Sequence, residues 1–139
     1  MNRFLVWHYH DSVGNETRMA PSAYYIDADY AKVAVRIYAE TAPLSDAEID
    51  IFDDGTSIFR SNAFTKFNLS TARRTVVSDT TTVVLVKGQN SDEVAENFND
   101  TPIEEGSWVY CNLVDAGGGS NFTVQLELRQ VSEDEELED

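Results

Sequence analysis

NFTVQLELRQ, residues 121–130, places Phe122, Val124, Leu126 and Leu128 on one side of an extended chain and Thr123, Gln125, Glu127 and Arg129 on the other. Successive side chains of a strand point to opposite sides, so this alternation marks a strand with one buried and one wet face. The same period recurs in KVAVRIYAE (32–40), where Val33, Val35, Ile37 and Ala39 oppose Lys32, Arg36, Tyr38 and Glu40. It recurs again in SWVYCNLV (107–114), where Val109, Cys111 and Leu113 oppose Trp108, Tyr110 and Asn112. RFLVWHY (3–9) and EIDIF (48–52) are further strand candidates, and TTVVLVK (81–87) is a β-branched run apolar on both faces.

Two turns fix how these strands pair. Asp54-Gly55 separates EIDIFD from TSIF and is a favoured pair where a tight hairpin needs positive φ. Gly117, Gly118 and Gly119 separate YCNLVDA from SNFTVQL and supply a second flexible hairpin. Helical signal is scarce. SDEVAENF (91–98) is the single candidate, with Ser91 or Asp92 as cap, and it spans about two turns. PLSDAEID (43–50) reads as a turn entering a strand, and residues 60–80 as a long polar connection interrupted by Phe64 and Phe67. Six to eight strands with one polar face each predict an all-β fold, an antiparallel β-sandwich of jelly-roll type with at most one short helix. Within one domain's length, residues 1–29 are expected to supply a strand and an arm, 30–131 the sandwich, and 132–139 an acidic solvated tail.

The charge is strongly acidic, −15 with a pI near 4.3. Six of the last seven residues (Glu133, Asp134, Glu135, Glu136, Glu138, Asp139) are acids, which leaves −15 + 6 = −9 on the body. Such a field repels phosphate backbones and anionic lipid, so neither nucleic acid nor membrane is an expected partner. No window approaches a membrane-spanning apolar length. The N-terminus lacks the apolar run and cleavage site of a signal peptide, which predicts synthesis in a cytoplasm.

Candidate chemistry is sparse, and no enzyme and no cofactor are expected. Cys111 is the single cysteine and shares a face with Val109 and Leu113, the setting of a small buried hydrophobe. His8 and His10 leave the same face of their strand, suitable for sharing a metal, yet no further ligand is identifiable, so an interface role is expected for them. Asp50, Asp53 and Asp54 crowd a glycine. Asp53 and Asp54 read as turn residues whose short side chains bond nearby backbone, and Asp50 as a residue of the wet face. Trp7, Tyr9, Tyr24 and Tyr25 read, with the histidines, as aromatics of a subunit interface. Trp108 and Tyr110 are alternatively stacking platforms for sugar rings.

The order VAVRIYAETAP, IDIFDDGTSIF and TPIEEGSWVYCNLVDAGGGSNFTVQLEL, across residues 30–130, resembles small β-sandwich virion proteins of tailed bacteriophages. The resemblance implies a structural subunit without catalytic residues: a capsid decoration, a neck or tail part, or a fibre-type domain. It further implies a homo-oligomer, often a trimer, bound to the major capsid or tail protein in the virion and made in the host cytoplasm. A carbohydrate-binding module for host adsorption is the alternative.

Overall fold

A computed structural model describes residues 2–10, 17–41, 47–59, 64–68, 73–76, 83–84, 91–95, 98–99, 101–116 and 118–131. These contain β1 (Asn2–Tyr9), β2 (Thr17–Arg18), β3 (Tyr24–Tyr25), β4 (Tyr30–Thr41), β5 (Glu48–Asp53), β6 (Thr56–Ser57), β7 (Phe64–Asn68), β8 (Arg73–Val76), β9 (Val83–Val84), β10 (Ser91–Val94), β11 (Trp108–Asp115) and β12 (Ser120–Gln130). No helix occurs among the described residues. The chain is an antiparallel β-sandwich. Its first sheet has the order β1-β12-β4-β10, and its second runs β2-β11-β5-β6 with β3 on the same edge of β11 as β2. The connections β4 to β5 and β11 to β12 pass from one sheet to the other, as in a jelly roll. A small third sheet, β7-β8-β9, takes two strands from the segment 60–80 that the sequence suggested as a polar connection and its third from the strand candidate TTVVLVK.

The alternating pattern of β12 becomes the centre of the first sheet. Leu5, Leu126 and Val35 stand side by side across three strands, as do Trp7, Val124 and Ile37. All six are buried, as are Ile49, Ile51, Cys111 and Leu113 on the facing sheet. Each fully buried side chain of this size contributes about 1.5–3 kcal/mol relative to exposure. That term holds the two layers together.

Four expectations change. Trp7 is a core residue with no exposed surface, because it shares the inward face of β1 with Leu5. It is closed to any partner, within the edge strand that RFLVWHY suggests. β11 and β12 lie in different sheets, so the connection between them is not the hairpin its glycines suggest. SDEVAENF does not start a helix: Ser91–Val94 extends along the open edge of β4, where pairing with a long strand outweighs the local cap. Val33 is only half-buried, since a bulge opposite Glu127 and Leu128 makes it the extra residue of β4 and reverses the phase before it. Tyr30 and Lys32 thereby take the inward positions at that end of the strand.

The segment after β1 stitches the layers along one side. The Met19 amide donates to the Cys111 carbonyl of the second sheet at 2.9 Å, and the next residue, Ala20, exchanges two bonds with His8 of the first at 2.7 and 3.0 Å. Gly117 and residues 132–139 lie outside the described residues.

Candidate functional site: an aromatic corner beside an acidic cavity

The outer face of the second sheet carries Trp108 and Tyr110, two residues apart on β11. Opposite Trp108 stands Tyr25 of β3, and opposite Tyr110 stands Phe52 of β5. Registry therefore builds a two-by-two group of aromatic rings from three strands. Its members are not equivalent. Tyr110 stacks on Phe52 at 5.2 Å and 23° on one side, while from the opposite strand Arg18 lays its guanidinium 3.7 Å from the ring centre. Arg18 is held there by the Asn112 side-chain oxygen at 2.9 Å and the Ser22 carbonyl at 3.0 Å. With both faces covered, Tyr110 is a support and offers no platform to a sugar.

Tyr25 and Trp108 remain open, 49% and 52% exposed, and meet edge to face at 5.2 Å and 61°. Side chains this large and this exposed are the informative exceptions on a protein surface. Tyr24 turns the other way, part-buried, donating its hydroxyl to the Val6 carbonyl at 2.7 Å and packing edge-on against Trp7.

The β5–β6 hairpin frames this corner. Asp54 (φ 49°) and Gly55 (φ 90°) form its two-residue turn. The Asp54 carboxylate accepts the Trp108 amide at 2.9 Å, so it fixes the turn against β11. Asp50 lies on the outer face, where it accepts the Ser57 hydroxyl at 2.7 Å. Asp53 differs from the turn role expected of it. It follows Ile49 and Ile51 on the inward face and stands opposite Val109, so a half-buried acid ends the inward row of this strand. Its Oδ1 is shut off from solvent without a hydrogen-bond partner. Burial raises the pKa of its carboxyl, against the bond from the Ser107 side chain; the Asp54 and Glu104 charges push the same way and the Lys32 charge opposes them.

Around Asp53 lies a cavity of about 270 Å³ lined by Asp53, Asp54, Thr56, Asn99, Pro102 and Glu104, with Thr101 and Ser107 completing it. Lys32, brought inward by the bulge, donates to the Asn99 side-chain oxygen at 2.7 Å and to the Thr101 carbonyl.

The remaining sequence candidates lie elsewhere. His8 and His10 stack at 6.4 Å on the first sheet's edge, with His8 bonded to Thr123 at 3.2 Å. Among the described residues no group of three His, Cys, Asp or Glu side chains is placed to hold a metal ion. Cys111 is fully buried 3.5 Å from the Met19 sulfur, and burial pushes its thiol well above its ordinary range. The pairing of Tyr25 with Trp108 and the inward turn of Asp53 were missed by sequence reasoning. Only the continued two-residue period through Ile49 and Ile51 signalled the latter. No family model matches the chain, and no curated protein does.

Proposed function

We propose that the chain is a non-enzymatic adhesion subunit, a β-sandwich that attaches to a protein neighbour through Tyr25 and Trp108, serving as a decorating or stabilising part of a tailed-phage virion. The observation that carries the docking role is the open Tyr25–Trp108 pair, set on rigid strands and backed by the Arg18–Tyr110–Phe52 ladder. Exposed Trp and Tyr side chains anchored in this way are the usual energetic centres of protein interfaces. The virion assignment rests on the sequence resemblance.

Sugar binding through the same corner is the second reading, favoured by the exposure of Trp108. It is the weaker one, since rings inclined at 61° cannot both lie flat under a saccharide chain, and Tyr110 is covered.

The test is occupancy in particles purified from the virus whose genome encodes the chain. The wild-type protein is expected in them at a fixed copy number, and Trp108→Ala in a folded protein lowers occupancy about tenfold or more. Absence of the wild-type protein from particles, or full occupancy by Trp108→Ala and Tyr25→Ala, overturns the reading. A glycan screen in which Trp108→Ala abolishes binding moves the assignment to the second reading.

A further inference from the structure

Resting on that docking role, we infer that the partner is basic: the Tyr25–Trp108 corner and the adjoining cavity receive an arginine- or lysine-bearing segment of a protein. Acids outnumber cations around the two rings, where Arg18 is spent on Tyr110. Asp54, bonded to the Trp108 amide, lines the cavity with Asp53 and Glu104, and Glu105 is exposed beside Glu104 in the chain. Arg3, the cation that reaches this edge, is engaged by Asp27 at 2.8 Å and by the Tyr25 carbonyl at 3.2 Å. Lys32, from the inner side, donates to Asn99 and Thr101 and offsets part of the Asp53 charge. Three carboxylates from the hairpin and the 99–107 segment thus face one cavity next to two exposed rings.

A guanidinium suits this arrangement in both of its binding modes. Its N–H groups donate in pairs to a carboxylate, and its flat face stacks on an aromatic ring. The chain already displays the second mode on the same face, where Arg18 covers Tyr110. Neutral hydrogen-bonding groups from Asn99, Thr101 and Ser107 complete a lining suited to a polar cationic head. At long range the net charge of −15 draws in cationic surfaces and turns away anionic ones.

Titration calorimetry of the full chain with a hexa-arginine peptide, at about 0.15 M salt to screen the general field, tests this. Wild-type protein is expected to bind the peptide and to ignore hexa-glutamate and cellohexaose. The double variant Glu104→Gln/Glu105→Gln, whose side chains are exposed, should weaken binding at least about fivefold. Trp108→Ala, checked for fold by its melting curve, should weaken it about threefold. The charge-matched control Glu138→Gln/Asp139→Asn should leave it nearly unchanged. An equal loss in that control, no binding by the wild type, or binding of cellohexaose at this corner instead overturns the inference. If Trp108→Ala empties the particles but the glutamate variants affect neither assay, the docking role stands and the basic partner falls. If Trp108→Ala leaves occupancy intact, the docking role falls, whatever the peptide does.

Discussion

Asp54 and Trp108 hold one another through a reciprocal pair of bonds: the Trp108 amide donates to the Asp54 carboxylate at 2.9 Å, and the Asp54 amide donates to the Trp108 carbonyl at 3.0 Å. The hairpin turn and the exposed tryptophan are therefore one mechanical unit. Asp54→Ala removes a charged acceptor and places an alanine at φ 49°, so it should lower unfolding free energy by about 2 kcal/mol in urea titration. Asp54→Asn keeps an acceptor and tolerates this backbone, and should cost about 1 kcal/mol or less. Equal losses in the two variants would show that neither the acceptor nor the backbone preference matters.

Asp53 gives stability a dependence on pH of unusual sign for an acid. Its folded pKa is raised above the ordinary 3.8, so the folded state holds the proton more tightly than the unfolded chain. Stability from this group declines as pH rises from 3.8 through the folded value, and the cost persists above it. Asp53→Asn, which keeps an acceptor for Ser107, should raise the melting temperature at pH 7 and should cease to do so well below 3.8. A variant less stable than wild type at pH 7 would refute the assignment.

Asp27 behaves in the opposite way. Its carboxylate accepts the Tyr30 hydroxyl at 2.9 Å and pairs with Arg3 at 2.8 Å, and chiefly the hydroxyl bond holds its pKa below 3.8. The contribution is present above 3.8 and is lost as pH falls through the lowered folded value. Asp27→Asn should therefore destabilise at pH 7 and approach wild type in acid, where denaturant midpoints of the two proteins converge.

Trp7→Ala should cost about 3–5 kcal/mol, the loss expected for a large aromatic taken from a packed core. By the same logic, removal of residues 2–9 should leave no cooperative unfolding transition. A truncated protein that melts like the parent would show that this strand is not needed for the fold.

Trp108→Ala, in contrast, should change stability by about 1 kcal/mol or less, because the ring is half exposed and its main side-chain contact is the edge of Tyr25. A loss comparable to that at Trp7 would mark Trp108 as a structural residue.

Side-chain period made the sandwich readable. The alternation in residues 121–130 and 107–114 needs no knowledge of neighbours, and Asp54-Gly55 carries its turn geometry locally. What escaped depends on pairing between distant segments. SDEVAENF has a respectable helix cap, and only the presence of β4's long open edge turns Ser91–Val94 into a strand. Trp7 lies in phase with Leu5, yet its aromatic character suggested a surface role that its position denies. Val33 leaves the face of Val35 through a one-residue bulge, which a period of two cannot show. The aromatic corner joins Tyr25 to Trp108 across more than eighty positions of chain, a relation that no local pattern encodes.

Met19 and Ala20 are consecutive, yet their amides are claimed by opposite layers of the molecule. Sliding one layer over the other must break either the Met19–Cys111 bond or the His8–Ala20 pair, so this hem resists relative shear. A load applied to the aromatic corner is then passed straight through to the strand carrying Leu5 and Trp7.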